Sequence, residues 1–209
     1  MTEVPRSLHQ IWIGDRPLPA RWQACRERWA KLHPGWKSRL WGNDEVFGLA
    51  RVGVICERLA ASCPVLAADL ARVEIVLNEG GVYADVDVKP LRNLWFLLAK
   101  RIIGNCGNRR NRHWPHTGFF GFPKGDPYLE AVLDYLIANT SLSVGQAYSP
   151  FQHSDGRWSV VLDKFGRDRL PFTYSVRWKK PTAYLLVDGK VVGEHYMAGA
   201  SGKKQIIRL

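Results

Sequence analysis

No stretch of this sequence approaches the run of about 20 apolar residues that a membrane-spanning helix requires, so no transmembrane segment is expected. Met1 to Arg6 sets no apolar run behind its basic residue, and no signal peptide is expected either. Cysteines are few. Cys25, Cys56, Cys63 and Cys106 form no Cys-x-x-Cys pair and read as buried or free thiols of a reducing compartment, with the cytoplasm as the expected location. Internal repeats, low-complexity tracts and linkers are also missing, so residues 1–209 are expected to form one domain. Acidic residues are scarce relative to basic ones. Lys plus Arg number 30 against 19 Asp plus Glu, and the net charge of +11 favours polyanions: nucleic acid, an anionic membrane surface or phosphorylated substrates. Apolar content of 46% with 11% aromatic residues argues against disorder.

What is present alternates between strand-like and helix-like stretches. Leu8 to Gly14 reads as a strand closed by a Gly-Asp-Arg-Pro turn. Ala20 to Leu32 places Trp22, Cys25, Trp29 and Leu32 at helical spacing and stops at His33-Pro34-Gly35. Trp36 to Trp41 reads as a second strand, followed by a short helix capped by Asn43 or Asp44. Pro64 to Glu79 is the clearest helix, with Leu66, Leu70, Val73 and Leu77 recurring between Pro64 and a Gly80-Gly81 stop. Further on, Leu91 to Leu98 is expected to be helical, Arg101 to Gly104 and Thr117 to Phe122 extended, and Asp126-Pro127 to open a helix through Asn139. A helix over Arg157 to Phe165, a strand from Phe172 to Trp178 and a hairpin around Asp188-Gly189 complete the pattern, with Lys203-Lys204 in a mobile tail. This alternation predicts an α/β sheet.

The chain is organised around Gly80 to Leu91. Read as a strand, it puts Tyr83, Asp85 and Asp87 on one face and Val82, Ala84, Val86 and Val88 on the other. Two neighbouring carboxylates repel unless a cation or solvent separates them. The pair is therefore either a solvated strand face or a site for a hard divalent ion such as Mg²⁺ or Mn²⁺. Asp69 and Arg72 share one side of the preceding helix, and on spacing alone they form a surface ion pair. Asn105 to His116 is a non-periodic run with Arg109, Arg110, Arg112 and Trp114. It is either a solvated loop or a contact for a phosphate backbone and stacked bases.

Taken together, several stretches resemble the DXD-containing sugar-transferase family related to yeast initiating mannosyltransferases and clostridial glucosylating toxins. Val4-Pro5-Arg6-Ser7-Leu8-His9-Gln10-Ile11-Trp12-Ile13-Gly14 is similar to the family's opening, and Trp36 to Trp41 to its second strand. Ala68-Asp69-Leu70-Ala71-Arg72, followed by Gly80-Gly81-Val82-Tyr83-Ala84-Asp85-Val86-Asp87, resembles its core motif. The resemblance covers about the first half of the chain. It implies a GT-A fold: one Rossmann-like α/β domain with a mixed central sheet and a small β/loop C-terminal part, binding a nucleotide sugar at the carboxyl ends of the strands. Residues 1–125 would form the nucleotide-sugar half and residues 126–209 the acceptor half. It also implies a retaining reaction, Mn²⁺ or Mg²⁺, and a UDP- or GDP-sugar donor. On the same ground Trp12, beside Ile11, would stack on the base. Asp69 and Arg72 would hold the sugar and its phosphate side, and Tyr83 and Asp85 would line the donor. Asp87 would ligate the metal, and Asp85, Asp87 and Arg72 would be the catalytic set. Family members often end on a histidine before Ser-Trp. Here His195 precedes Ser201 with no Trp, so His195 is either a further metal ligand or an exposed strand-end histidine. The family's downstream Thr-Gly-Pro element has only Val144-Gly145-Gln146 as a counterpart.

For the acceptor, the charge and Arg109, Arg110, Arg112 and Trp114 point to a polyanion, with DNA bearing a hydroxylated base preferred, as for some phage-encoded transferases. Capsule, lipopolysaccharide or lipid-linked glycan synthesis with peripheral membrane contact is the alternative. A non-catalytic nucleic-acid-binding domain is the alternative from another class.

Overall fold

The computed structural model describes residues 3–107, 114–140, 155–166, 170–179 and 182–196. The elements in chain order are β1 (Ser7–Ile11), α1 (Ala20–Leu32), β2 (Lys37–Trp41), α2 (Asn43–Phe47), α3 (Gly53–Ala60), α4 (Pro64–Glu79), β3 (Gly81–Ala84) and β4 (Val88–Pro90). After a 3₁₀ turn at Trp95–Leu97 come β5 (Ile102–Asn105), β6 (Pro115–Phe122), α5 (Pro127–Asn139) and α6 (Asp155–Phe165). The chain then forms β7 (Tyr174–Lys179), β8 (Thr182–Val187) and β9 (Lys190–His195). Among the described residues, no helix is long and apolar enough to cross a membrane.

Among the described residues, the strands form one sheet in the order β2-β1-β3-β6-β5-β7-β8-β9-β4. β2, β1 and β3 run parallel, β6 is antiparallel to β3 and β5, and the β7–β8–β9 meander joins through a parallel β5–β7 pair. One consequence follows from chain length. β3 and β4 are separated by three residues, 85–87, yet occupy the third and last places of a nine-stranded order. Three residues reach only about 10 Å, so the sheet must curl until its last strand returns beside β3.

Alternate residues of the sheet feed two cores. Tyr83, Ile103, Phe120 and Phe122 pack with α4, α5 and α6, while Val82, Ala84, Ile102 and Phe119 pack with Trp29 of α1 on the opposite side. The helix α4 is buried on every face. Besides its apolar residues, Asp69, Arg72 and Glu74 are buried, so the stripe at Leu66, Leu70, Val73 and Leu77 is only part of what it hides. Burial on that scale requires each charge to be paired. Glu74 accepts from the backbone N–H groups of Arg51 (3.1 Å) and Val52 (2.9 Å), placing a carboxylate at the amino end of α3.

Several local expectations meet the structure as written. α1 and α4 have the expected limits, Asp126 caps α5, and Asp188 (φ 48°) and Gly189 (φ 76°) form the two left-handed residues of a hairpin turn. Others are corrected. Asp85 to Asp87 is a turn rather than strand, because the chain changes partner there. Asp85 N still donates to Gly118 O of β6 (2.9 Å), Val88 N closes the turn on Asp85 O (2.9 Å), and Val88 to Pro90 pair with β9. Leu91 to Leu98 is helical only at Trp95–Leu97, since tertiary acceptors take its N–H groups: Val192 O for Leu91 and His33 Nε2 for Leu94. At α2 the Glu45 carboxylate caps Gly42 N–H (2.8 Å), while Asn43 is spent on Gly14 N. Pro115 and His116 belong to β6 rather than to a loop. Val144-Gly145-Gln146, Ser201 and Lys203-Lys204 lie outside the described residues.

Replacing Glu74 by Ala leaves two backbone donors of α3 without their carboxylate. We expect a loss of about 3 kcal/mol of stability, measured as a lower urea midpoint with an unchanged slope.

Candidate metal and donor site

The curl of the sheet closes on one place. β3 ends at Ala84 and delivers Asp85, the turn delivers Asp87, and β9 ends at His195, whose Cα partner in the ladder is Val88. Asp87 O accepts from Tyr196 N (3.2 Å), so the turn is fastened to β6 on one side and to the end of β9 on the other. His195 Nε2 stands 3.1 Å from Asp87 Oδ1 and 3.4 Å from Asp85 Oδ2. His195 and Asp87 are buried, and Asp85 keeps a quarter of its side chain exposed. His195 is thus not an exposed strand-end residue.

Arg72 reaches Asp85 from beneath. It is paired with Asp69, donates to Thr117 O (2.7 Å) and Ala68 O (3.2 Å), and lies over the Tyr83 ring, 4.8 Å from its centroid. Its guanidinium comes within 3.5 Å of Asp85 Oδ1, which also accepts from Tyr83 Oη (2.6 Å). Asp69 and Arg72 are therefore a buried pair, correcting the surface reading. Burial opposes the charge on Asp85, but Arg72, His195 and Tyr83 outweigh it and hold the carboxyl well below the usual carboxylate range. For His195 burial favours the neutral ring, yet Asp87 and Asp85 prevail and push it up to about 10. His116, whose Nε2 meets His195 Nδ1 at 3.0 Å, is driven down to about 3 by burial and then by its charged neighbour.

Among the described residues, Asp85, Asp87 and His195 form one group whose donor atoms all lie within 4.8 Å of one another. The donor set fits a divalent ion: two carboxylates and an imidazole suit Mn²⁺ or Mg²⁺. Neighbouring donors on an octahedral ion with bonds near 2.1 Å sit about 3 Å apart, the size of the His195 separations. A ring nitrogen must shed its proton to ligate, so the charged His195 is the cation that balances the carboxylates when no metal is bound.

The other expected residues are spread around this centre. Trp12 follows β1, donates its indole N–H to Arg16 O (2.7 Å), and packs in the small apolar cluster that contains Val86 of the turn. Ile11 lies in the main core, so only its backbone marks the strand end. Trp114 is half-buried beside Cys106, accepting its N–H (2.8 Å), whereas Arg109, Arg110 and Arg112 lie outside the described residues. Four residues carry the site without having been singled out: Gly118, His116, Tyr174 and Gln10. A Cβ on Gly118 would lie 2.5 Å from the His195 ring and 2.7 Å from Asp85 Oδ2, so only glycine leaves room for their meeting. Gln10 is fully buried, receives Arg26 Nε (3.3 Å) and reaches Asp85 O (3.5 Å). The opening motif contains Gln10, which was a usable signal. Nothing local marks Gly118, His116 or Tyr174.

Residues 19–106 match the family described as the glycosyltransferase sugar-binding region containing DXD motif. An uncharacterized glycosyltransferase of Acanthamoeba polyphaga mimivirus is 26% identical over 149 residues, 69% of this chain and 58% of its own length. Inositol phosphoceramide mannosyltransferase 1 of Schizosaccharomyces pombe is 29% identical over 111 residues, 48% of this chain and 33% of its own. The chain thus spans less than two thirds of either relative. Of solved structures, the PaToxG glycosyltransferase has a TM-score of 0.65 at 15% identity, over 81% of this chain and 71% of its own. The UDP-bound glycosyltransferase domain from the YGT toxin has a TM-score of 0.52 at 11% identity, over 66% and 62%. The fold is that of the GT-A glycosyltransferase domains, and the resemblance to DXD sugar transferases is borne out.

The folded pKa of His195 lies above its ordinary 6.5, so its contribution to stability is full below that value and is lost as pH rises toward 10. In metal-free buffer the melting midpoint should fall between pH 7 and pH 10. His195→Ala should melt lower at pH 7 with a flatter profile, as read by circular dichroism.

Proposed function

From a DXD sugar-binding region that spans residues 19–106, we propose that the protein is a metal-dependent glycosyltransferase moving a sugar from a nucleotide-sugar donor to a hydroxyl acceptor. The observation that carries this is the convergence of Asp85, Asp87 and His195 at the strand ends, backed by Arg72. Asp87 and His195 are the metal ligands, joined by Asp85 Oδ2, while Asp85 Oδ1 is held by Tyr83 and Arg72. A divalent ion bound there supplies neutralisation of the leaving diphosphate. Arg72 keeps Asp85 ionised and aimed, and Trp12 offers its ring to the nucleotide base. Retention of anomeric configuration belongs to the same reading, with the product anomer deciding it by NMR.

The acceptor in this reading is anionic. Between Asp87 and Asp126 the chain has no acidic residue and eight Lys or Arg, Arg109, Arg110 and Arg112 among them. DNA with a hydroxylated base meets that demand. A second reading has support of its own: the fission-yeast relative is named for inositol phosphoceramide, a phosphate-bearing lipid. Arg109→Ala with Arg110→Ala should weaken duplex binding and flatten its salt dependence if DNA is the acceptor. Binding confined to anionic vesicles would instead favour the lipid.

Melting with UDP, GDP, ADP, CDP or TDP in the presence of Mn²⁺ tests the donor side. One diphosphate should stabilise the protein, by about 2.7 kcal/mol at a hundredfold excess over Kd, and only with the metal present. A folded Asp87→Ala variant should lose that shift and metal-dependent nucleotide-sugar hydrolysis; full retention of both would overturn the reading.

A further inference from the structure

Behind the carboxylate pair lies a row of three buried side chains, His195, His116 and Tyr174, only the first of which faces the candidate ion. We propose that Tyr174 and His116 are positioning residues that set which ring nitrogen of His195 is offered to the metal. The inference rests on Asp85, Asp87 and His195 being the metal site.

The protons along the row fix the tautomer. The carbonyl oxygen of Phe119 can only accept, so the Tyr174 hydroxyl donates to it. With its one proton directed there, the Tyr174 oxygen accepts from His116 Nδ1–H, 2.7 Å away. His116 is buried, its ring nitrogens face the Tyr174 oxygen and His195 Nδ1, and such a place favours the ring with a single proton. With that proton on Nδ1, its Nε2 is a lone pair that takes the Nδ1 proton of His195 at 3.0 Å. His195 therefore turns Nε2 toward Asp87 and Asp85. The opposite tautomer would aim an N–H at the cation and leave the ligating lone pair facing His116.

Two glycines make the row fit. Gly118 clears the His195 ring, and Gly104, paired with Tyr174 across β5 and β7, lies where any Cβ would collide with the tyrosine ring. His116 meets Tyr174 edge-on, with centroids 5.9 Å apart and planes at 80°. Metal-ligating histidines usually give their second N–H to a carboxylate, carbonyl or water. Here a second histidine receives it, and a neutral acceptor adds no third negative charge beside Asp85 and Asp87.

Mn²⁺ binding to the whole chain, followed by the electron paramagnetic resonance of free ion, tests this without a sugar donor. Tyr174→Phe and His116→Phe should each weaken Mn²⁺ binding 10- to 100-fold, on the order seen for such supporting partners. His116→Gln presents a carbonyl to His195 and an amide N–H to Tyr174, and should recover most of the affinity. Nitrogen-15 spectra of Mg²⁺-loaded protein should show the Nδ1–H form of His195 in the parent and a mixture in Tyr174→Phe. Unchanged Mn²⁺ affinity in both phenylalanine variants, with cooperative melting intact, overturns the inference. If His116→Phe does not fold, Tyr174→Phe, which removes one oxygen atom, decides alone. Equal Mn²⁺ binding by the parent and His195→Ala overturns the metal assignment of His195 and this inference with it. A loss in His195→Ala alone leaves the metal site standing and removes only the positioning role.

Discussion

Two carboxylates two residues apart cannot share a largely buried place unless positive charge is packed against them, and this condition governs the architecture. Arg72 meets it from one side and His195 from the other. The two cations differ in kind. Arg72 is charged at any pH the protein will meet, and it is locked by Asp69, by two backbone carbonyls and by the Tyr83 ring. The His195 ring can give its proton up, so under the proposed function it is the side of the pair whose charge a metal would replace. A permanent cation below and a titratable one beside is a charge pattern that would let the proposed site stay folded both empty and filled.

That pattern depends on topology rather than on proximity in sequence. β3 and β4 are consecutive, yet the order of the sheet sets five strands on the long way round between them. The turn at Asp85–Asp87 is where the two edges of that path meet, so the residues of the site come from both ends of one curled surface. Its support reaches further: α4 must be buried all round for Arg72 to stand under Asp85, and Glu74 then has to find partners inside, which it does at the start of α3.

How much of this was legible in the chain follows from the range of each signal. The limits of α4 are written in Pro64 and Gly80, those of α5 in Asp126-Pro127, and the last hairpin in Asp188-Gly189, because caps and turns are chosen by neighbouring residues. The Asp-x-Asp pattern was legible as chemistry but not as shape. Alternation of Val and Asp continues unbroken through residues where the backbone leaves one partner strand for another. His116 and Tyr174 were invisible for a different reason. They are 58 residues apart, and only the pairing of β5 with both β6 and β7 brings them together. His195 was picked out by resemblance, while its burial came from the end of β9 folding against Val88.

The placement of His195 also bears on the order in which the molecule is made. Asp85 and Asp87 are synthesised more than a hundred residues before their histidine, which ends β9. Until that strand docks, the turn between β3 and β4 lacks the fastening that Tyr196 N and His195 give Asp87 on its far side, while Arg72 already faces Asp85. Closing the sheet and bringing Asp85, Asp87 and His195 together are therefore one event. If the cluster holds a divalent ion as proposed, that ion would link the turn after β3 to the end of β9 and favour chains that have finished folding over those that have stopped short.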